Sequence, residues 1–324
     1  MMKIAINGLG RIGRATLKVA VERPKVEVVA VNDLADLETL KYLLKYDSVY
    51  GKSDGADELG SSIKFFCEKD PEKLPWADLD VDVVIESTGF FADKTGAMKH
   101  LAAGAKRVII SANSADADLS VVIGVNHNQY DPHQHNILAN CSCTTNCAAP
   151  VMKILNDNFT IRKAYMTTVH AVTSTQNLVD GPNEKPRRGR AAFASIIPTT
   201  TGAAEAVVRV LPELKDRITG SAFRVPVLCG SVLEVVAHIA DEISAEKINK
   251  VFKNASEKDF KGVVEVNGEG LVSADIPGTT ASAIIDLPLT EVLGNFVRVV
   301  AWYDNEYAYA VRLIDLVEFV SSKS

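Results

Sequence analysis

Short runs of β-branched and other apolar residues recur along the N-terminal part of the chain, at residues 3–7, 26–31, 81–86, 107–111 and 119–125. Polar, helix-compatible segments separate these runs, among them residues 14–21 and 94–103. Apolar strands that alternate with helices are typical of a parallel sheet covered by helices on both faces. The pattern therefore predicts a doubly wound α/β domain, whose ligands bind at the carboxyl ends of the strands.

The pattern of the C-terminal part is different. It predicts long strands near residues 231–239, 281–286 and 296–303, and an apolar-striped helix at residues 307–320. A polar loop at residues 173–190 contains glycine and proline. Loops of this length in compact domains are usually functional or disordered. We expect a second domain of the α+β class, with a largely antiparallel sheet.

Composition limits the class of protein. The chain has 324 residues, 47% hydrophobic content and a formal net charge of −6, as expected of a soluble globular protein with two domains. A mildly acidic chain gives no electrostatic indication of nucleic-acid binding, and no apolar run reaches the length of a membrane span. The start of the chain predicts no signal peptide. Because the 5 cysteines are odd in number and partly clustered, we expect a reducing compartment, the cytoplasm.

A glycine pattern follows the first predicted strand at once and opens a predicted helix. Gly8 allows the tight turn, Gly10 lets the backbone approach a pyrophosphate, and Gly13 lets the helix pack closely on the strand. Asp33 follows Gly13 by about 20 residues, where an acidic side chain meets the ribose hydroxyls of the adenosine. Since a carboxylate there repels a 2′-phosphate, the pattern predicts NAD rather than NADP.

Polar residues stand at other predicted strand ends and helix starts. Thr88, Gly89 and Ser111 follow strands of the parallel sheet, either as ligand contacts or simply as turn residues. Thr201 and Gly202 precede a predicted helix at residues 203–211. Because the first N–H groups of a helix lack intrahelical partners, such a start is a candidate anion site.

A cysteine-rich segment precedes a helix-compatible run at residues 148–155 and contains Cys141, Cys143 and Cys147. A thiol at the first turn of a helix meets the positive end of the macrodipole, which favours the thiolate. By position that thiol is Cys143. The hydroxyls of Ser142 and Thr144, with the free N–H groups of the helix start, are suited to an oxyanion or a phosphate. The segment predicts a nucleophile that works beside an anion.

Other interpretations of these residues stay open. Most cysteines are buried and inert. A structural zinc site needs a further ligand nearby, whereas Cys67 and Cys229 are isolated in the sequence, and a disulfide framework is typical of small secreted chains. The metal-like set His127, His133 and His135 lies in a polar segment and is interpreted as loop histidines. We therefore predict no metal.

A β-rich run at residues 164–171 contains His170, and an arginine, Arg224, lies inside another apolar run. A histidine beside Cys143 would lower the pKa of the thiol and serve as its base. Arg224, together with Arg190 of the long polar loop, is predicted to clamp a phosphate. The alternatives are a core histidine and an arginine that extends to the surface.

Several motifs together resemble the glyceraldehyde-3-phosphate dehydrogenase family, and the match is collinear from end to end. The motifs span residues 7–14, 86–89, 142–147, 168–171, 188–192, 201–204 and 302–306. The resemblance implies an NAD-binding Rossmann domain at residues 1–142, to which a C-terminal helix at 305–324 returns. It also implies a catalytic and tetramer-forming domain at residues 143–304.

The resemblance also implies a reaction and its residues. The reaction is the reversible, NAD-dependent oxidative phosphorylation of D-glyceraldehyde 3-phosphate to 1,3-bisphosphoglycerate in glycolysis, by a homotetramer. Cys143 would form the hemithioacetal and thioester, with His170 as its partner. The NAD contacts would be Asn7, Gly8, Gly10, Arg11, Ile12, Asp33, Lys69, Thr88, Gly89, Ser111 and Asn305. The substrate and phosphate contacts would be Thr173 and Arg224 at one site, and Ser142, Thr144, Thr201 and Gly202, with Arg190, at the other.

The sequence departs from the family pattern at Cys141, Val172, Asn113 and the pair Tyr307-Ala308, where alanine, tyrosine, proline and tryptophan-glycine are usual. By homology, Asn113 and Ala308 lie near the cofactor and would alter its affinity. Two alternative functions remain at this stage. One is erythrose-4-phosphate dehydrogenase, which is similar around the same cysteine. The other is a non-catalytic, NAD-binding redox sensor that uses its reactive cysteine.

Overall fold

The computed structural model describes residues 1–53 and 58–323. The chain divides into two compact units. The first unit consists of Met1–Ser142 and Tyr309–Ser324, and the second of Cys143–Ala308. Among the described residues, none of the helices combines the length and the apolar character needed to cross a membrane.

The first unit is built on a parallel sheet. Its elements in chain order are β1 (Met2–Asn7), α1 (Arg11–Val21), β2 (Val26–Asn32), α2 (Leu37–Lys45), β3 (Tyr46–Asp47), β4 (Gly51–Lys52), β5 (Lys64–Phe66), β6 (Val83–Glu86), α3 (Lys94–Ala102), β7 (Arg107–Ile110), β8 (Leu119–Ser120) and β9 (Ile137–Ala139). Within the described residues, the strand order is β5-β2-β1-β6-β7-β9-β8, and every neighbouring pair is parallel. The predicted doubly wound domain is confirmed.

The turn between β1 and α1 explains why its glycines are needed. Gly8 has a φ of +94°, and a Cβ there would lie 2.7 Å from the backbone nitrogen of Thr88. Gly13 packs against the same turn, since a Cβ on it would lie 1.9 Å from the carbonyl oxygen of Gly8. The helix begins at Arg11, earlier than the predicted residue 14. The close packing of the turn against Thr88, and of the helix against the turn, therefore requires glycine at both positions.

One predicted strand, at residues 119–125, is wrong in length. β8 contains only Leu119 and Ser120. The side chain of Asn126 ends the strand, because its Oδ1 accepts a hydrogen bond from the N–H of Val122 at 2.9 Å and its Nδ2 donates to the carbonyl of Ser120 at 2.8 Å. Gly124, with a φ of +84°, completes the turn.

The second unit is built on a mixed sheet. Its elements are α4 (Cys143–Phe159), β10 (Ile161–His170), β11 (Ile197–Thr199), α5 (Ala203–Val210), β12 (Ile218–Arg224), β13 (Ser231–Ile239), α6 (Ala245–Glu257), β14 (Val264–Asn267), β15 (Ala283–Asp286), β16 (Glu291–Leu293) and β17 (Phe296–Tyr303). In the described part of the chain, the order is β11-β12-β10-β13-β17-β15-β14, with β16 on β17. Most pairs are antiparallel, while β10 with β12 and β14 with β15 are parallel. The prediction of a largely antiparallel sheet is confirmed.

The last helix, α7 (Tyr307–Ser321), belongs to the first unit from Tyr309 onward. The guanidinium of Arg23 on α1 donates to Asp315 at 3.1 Å. The hydroxyl of Tyr309 donates to the carbonyl of Cys141 at 2.7 Å, and the ring of Phe319 packs edge-on against His127. These contacts hold α7 within the first unit.

Candidate active site

The second unit brings a thiol and an imidazole together. Cys143 is the first residue of α4, and His170 is the last residue of β10. The Sγ of Cys143 lies 3.4 Å from the Nε2 of His170. Arg224 ends the neighbouring parallel strand β12 and is paired in register with His170. Parallel pairing therefore places the imidazole and the guanidinium side by side at the same edge of the sheet.

The Nδ1 of His170 has neighbours of opposite kinds. It lies 2.7 Å from the carbonyl oxygen of Ala171, which only accepts, and 2.6 Å from an Nη of Arg224, which only donates. When Nδ1 carries the proton, it donates to Ala171, and Nε2 presents a lone pair to the thiol. When Nε2 carries the proton, Nδ1 accepts from Arg224. In either tautomer of the neutral ring, Nδ1 therefore has a hydrogen-bond partner, and Nε2 can either accept or donate a proton.

The predicted lowering of the Cys143 pKa is wrong for this structure. Burial raises the pKa of the thiol above its ordinary value, and the positive charge of Arg224 only opposes that effect. A helix start contributes about 0.3–1 kcal/mol, which moves a pKa by less than about one unit. Burial, helped by Arg224, also lowers the pKa of His170 to about 3. The site therefore rests as a neutral thiol beside a neutral imidazole.

Two arginines of the polar loop have different partners. The Nε of Arg190 donates to Asp180 at 2.8 Å on the surface. The charge of Arg188 contributes, after burial and Arg224, to the lowered pKa of His170. Its Nε donates to the hydroxyl of Thr199 at 3.0 Å. A phosphate role for Arg190 stays a prediction.

The sequence did not indicate a role for Arg188, because Arg188 and Arg190 flank the same glycine and cannot be told apart by position alone. Gly189 packs so closely that a Cβ would lie 2.4 Å from the carbonyl oxygen of Gly181. Arg188 is half-buried, whereas Arg190 is exposed. The sequence shows that a glycine separates two arginines, which does not indicate which of the two is buried.

Hydroxyl groups surround this cationic region. An Nη of Arg188 donates to Thr175 at 3.1 Å, and the hydroxyl of Thr175 lies 2.9 Å from that of Thr173. Thr201 accepts a hydrogen bond at its hydroxyl from the N–H of Ala203, at the start of α5. Thr173 and Thr201 thus occupy polar positions suited to an anion, while their contacts with phosphate stay predictions.

The hydroxyl of Thr144 has a structural partner. It lies 2.9 Å from the hydroxyl of Tyr303, which lies 2.8 Å from the hydroxyl of Thr168 on β10. Tyr303 is buried, and its ring meets His170 edge-on with 6.0 Å between the ring centroids. This bridge connects the start of α4 to the strand that carries the imidazole. The sequence placed Tyr303 within the motif at residues 302–306 but indicated no role for its hydroxyl.

The first unit contains a cavity of about 600 Å³ at the carboxyl ends of its strands. It is lined by Asn7, Gly8, Gly10, Asn32, Asp33, Leu34, Glu68, Lys69, Ser87, Thr88, Phe90 and Phe91. The carboxylate of Asp33 accepts hydrogen bonds from the N–H groups of Leu9 at 2.6 Å and Ala35 at 2.9 Å. Its orientation is thereby fixed beside the glycine turn. The open backbone at Gly8 and Gly10 and the carboxylate are the features that a dinucleotide requires.

The other predicted NAD contacts are placed differently. Arg11, Ile12, Gly89 and Ser111 are not among the residues that line the cavity. The guanidinium of Arg11 forms an ion pair with Asp47 at 2.7 Å. Asn305 belongs to the second unit, where its Oδ1 accepts a hydrogen bond from Ser231 at 2.8 Å. The roles of all these residues stay predictions.

Two of the departures from the family pattern have a clear structural setting. Cys141 has a left-handed backbone with a φ of +57°, and its thiol is buried 3.9 Å from the carbonyl oxygen of Ala139. Ala308 is buried at the start of α7.

Within residues 1–53 and 58–323, no group of three or more His, Cys, Asp or Glu side chains is placed to hold a metal ion.

Comparison with known proteins identifies the class. Residues 2–94 match the family model of the glyceraldehyde 3-phosphate dehydrogenase NAD binding domain, and residues 142–305 match that of the C-terminal domain. The chain is 48% identical over 332 residues to glyceraldehyde-3-phosphate dehydrogenase 1 of Bacillus cereus, covering 100% of this chain and 99% of the relative. It is 48% identical over 331 residues to glyceraldehyde-3-phosphate dehydrogenase of Geobacillus stearothermophilus, covering 99% of each.

These matches define an NAD-dependent oxidoreductase with a Rossmann cofactor domain. The chain belongs to the glyceraldehyde-3-phosphate dehydrogenase family. The predictions of the family, of the enzyme class and of NAD as the cofactor are confirmed.

Proposed function

We propose that this chain catalyses the reversible, NAD-dependent oxidative phosphorylation of D-glyceraldehyde 3-phosphate to 1,3-bisphosphoglycerate. The observation that carries the proposal is the distance of 3.4 Å between the Cys143 thiol and His170 Nε2 at the start of α4. A nucleophile in hydrogen-bond reach of its base, next to a guanidinium, suits a phosphorylated aldehyde. We assign NAD binding to the first unit and the covalent chemistry to the second.

The first step is addition of the thiol to the aldehyde. Because burial keeps Cys143 protonated, His170 removes the proton as the sulfur attacks the carbonyl carbon. The backbone N–H of Cys143, at the first position of α4, is suited to hold the resulting oxyanion. The proton then passes from His170 Nε2 to this oxygen. The product is a neutral hemithioacetal on Cys143.

The second step converts the hemithioacetal to a thioester. The hydride acceptor for the substrate carbon would be NAD, held by the residues that line the cavity of the first unit. His170 takes the hydroxyl proton as the hydride leaves, and its low pKa favours prompt release of that proton afterwards. The bond between Cys143 and the acyl carbon keeps the oxidation energy that hydrolysis would release. Exclusion of water is therefore as important as attack.

The third step is attack of inorganic phosphate on the thioester. We assign the substrate phosphate to Arg224 and Thr173, and the inorganic phosphate to Ser142, Thr201 and Gly202. Support comes from the half-buried guanidinium of Arg224 and from the start of α5, where the hydroxyl of Thr201 accepts from the N–H of Ala203 beside the other N–H groups of the first turn. As a phosphate oxygen bonds to the acyl carbon and the C–S bond breaks, His170 takes the proton of the attacking phosphate and passes it to the departing Cys143 thiolate.

We further propose a cytoplasmic homotetramer. One face of the mixed sheet carries apolar side chains that are open to solvent in the single chain. Tyr165, Val236 and Phe296 are 48%, 38% and 52% exposed, and they line a shallow cavity with His238. Apolar patches of this kind on a well-packed sheet favour coverage by another subunit. Light scattering at several protein concentrations tests the assembly.

The test of the reaction is NADH absorbance with glyceraldehyde 3-phosphate and NAD, with and without inorganic phosphate. We expect turnover that depends on phosphate and that the Cys143→Ser variant loses while it still binds NAD. Turnover without phosphate, or a preference for erythrose 4-phosphate, would contradict the proposal and favour the related dehydrogenase. A folded protein that binds NAD and shows no turnover would support the redox-sensor alternative.

A further inference from the structure

A line of buried polar side chains crosses the first unit beneath the cavity. Asn32, Asn7 and Glu86 are the last residues of the adjacent strands β2, β1 and β6 and are paired in register. The Nδ2 of Asn32 donates to the Oδ1 of Asn7 at 2.7 Å, and the Nδ2 of Asn7 donates to Glu86 at 2.6 Å. All are buried, and Asn7 and Asn32 line the cavity.

Glu86 is the centre of this network. Its Oε2 accepts a hydrogen bond from the amide of Asn7 and lies 3.0 Å from the Nε2 of His100. Its Oε1 accepts from the N–H of Thr88 at 2.7 Å and from the hydroxyl of the same residue. Every one of these partners presents a hydrogen, so a carboxylate, which only accepts, satisfies them all. The side chain of Glu86 is 0% exposed.

The orientation of His100 is fixed from its other side. The indole N–H of Trp76, which can only donate, lies 3.0 Å from the Nδ1 of His100. Nδ1 must therefore accept, and the proton of the neutral ring resides on Nε2, where it points at Glu86. His100 and Trp76 are both fully buried. No solvent molecule is needed to complete the chain of donors from Trp76 to Glu86.

We propose that Glu86 is a positioning residue for the dinucleotide, acting through Asn7 and Thr88. Its carboxylate fixes the amide of Asn7 just before the glycine turn. It also fixes the start of the turn after β6, whose backbone packs against Gly8. Both groups line the cavity. This inference rests on the proposed NAD site in the first unit and extends it to a residue that does not line the cavity.

The network acts on one part of the ligand. Gly8 and Gly10 are where the backbone approaches a pyrophosphate, whereas Asp33 serves the ribose of the adenosine. Replacing the carboxylate of Glu86 by an amide turns a hydrogen toward donors that already point at it. Asn7 and Thr88 must then move, while Asp33 keeps its bonds to Leu9 and Ala35. NAD should therefore lose more affinity than AMP.

The test compares Glu86→Gln with a matched variant, Asp82→Asn. Asp82 immediately precedes the same strand, about 13 Å from Glu86, where it accepts from the N–H of Lys3 and the Nζ of Lys106. For Glu86→Gln we expect the dissociation constant and the KM of NAD to rise about tenfold or more, with kcat at saturating NAD and the affinity for AMP changed by less than about twofold. Asp82→Asn should leave all four quantities within about twofold.

The inference is overturned if Glu86→Gln binds NAD as the unmodified chain does, or if NAD and AMP affinities fall together. If the unmodified chain does not bind NAD, the proposed cofactor site itself fails. His100 provides a second route if Glu86→Gln does not fold. His100→Leu, which removes the donor to Glu86, should weaken NAD, and His100→Gln, which retains an N–H, should restore a large part of the loss. Equal NAD affinity in these two variants would also overturn the inference.

Discussion

The two units use the same construction for opposite purposes. In each, polar side chains end neighbouring parallel strands: Asn7 and Glu86 on β1 and β6, and His170 and Arg224 on β10 and β12. The first pair is joined by a direct hydrogen bond of 2.6 Å from amide to carboxylate. The second pair places a cation against an imidazole that must stay neutral. Parallel pairing in register thus places a donor beside an acceptor in the first unit, and a positive charge beside a proton-accepting ring in the second.

The two units also differ in whether their buried polar groups have complementary hydrogen-bond partners. Around Glu86, each donor has an acceptor, and such complete networks hold side chains in one arrangement. Around Cys143, burial raises the pKa of the thiol while burial and Arg224 depress the pKa of His170. Perturbed groups that are in contact are typical of reacting sites. We conclude that a matched network orients a ligand, whereas a perturbed pair is prepared to move a proton.

The strongest test of this contrast is His170→Asn, which removes the base and leaves the thiol. We expect kcat to fall by about 10²–10⁴, the usual contribution of a general base. NAD affinity should stay within about twofold, because the cavity residues are untouched. Steady-state kinetics and a binding titration measure both quantities.

The matched control is His238, another histidine of the same sheet. His238→Asn removes an imidazole that lies 2.8 Å from the amide of Asn295 and stacks on Phe296. This control should keep kcat within a few-fold of the unmodified chain. A similar loss of kcat in both histidine variants would argue against a proton-transfer role for His170.

Arg224→Ala tests the effect of the Arg224 charge on the pKa of Cys143 and of His170. Arg224 lowers the pKa of both Cys143 and His170, so its loss should raise both. A higher thiol pKa means less thiolate at neutral pH, and the midpoint of the pH profile for alkylation by iodoacetamide should move upward. A rise of about one pH unit reduces the thiolate fraction about tenfold. Because a phosphate partner is also lost, we expect kcat/KM for glyceraldehyde 3-phosphate to fall about tenfold to a hundredfold.

The matched control is Arg190→Ala, since Arg190 is paired with Asp180 on the surface. Its alkylation profile should coincide with that of the unmodified chain. If Arg224→Ala leaves the profile in place, the charge of Arg224 does not set the reactivity of Cys143. If Arg190→Ala moves it, the assignment of the two arginines is reversed.

Asp33→Ala tests the side of the cavity that serves the adenosine. Loss of the carboxylate removes the repulsion of a 2′-phosphate, so the preference for NAD over NADP in kcat/KM should fall about tenfold. Asp36→Asn is the control, because Asp36 is exposed and caps α2 by accepting from the N–H and the hydroxyl of Thr39. An unchanged coenzyme preference in Asp33→Ala would contradict the ribose role.

The sequence was sufficient where chemistry is local. The turn at Gly8 and the placement of Asp33 follow from spacing along one βαβ unit, and the position of Cys143 at a helix start follows from the segment itself. The pairing of His170 with Arg224 joins residues that are 54 positions apart. Only strand register, which no short pattern encodes, brings them together.

Burial explains the errors. The sign of the Cys143 pKa depends on the weight of desolvation against a helix start and a cation, and desolvation is invisible in a linear pattern. Glu86 was recognised within a motif, yet its function depends on His100 and Trp76, whose side chains meet it only in the folded core. Buried polar partners are thus what sequence reasoning predicts least well.

The smallest effect is expected from Tyr303→Phe, which removes the hydroxyl between Thr144 and Thr168 and leaves the ring. Two buried hydroxyls lose a partner, so the free energy of unfolding should fall by about 1–3 kcal/mol, and kcat should fall a few-fold because the start of α4 is less firmly held. Tyr309→Phe is the control: it removes a buried hydroxyl that donates to the carbonyl of Cys141 in the first unit. Thermal unfolding and kcat, measured on both variants, separate the two. If Tyr309→Phe lowers kcat as much as Tyr303→Phe does, the Tyr303 bridge has no specific part in placing Cys143 beside His170.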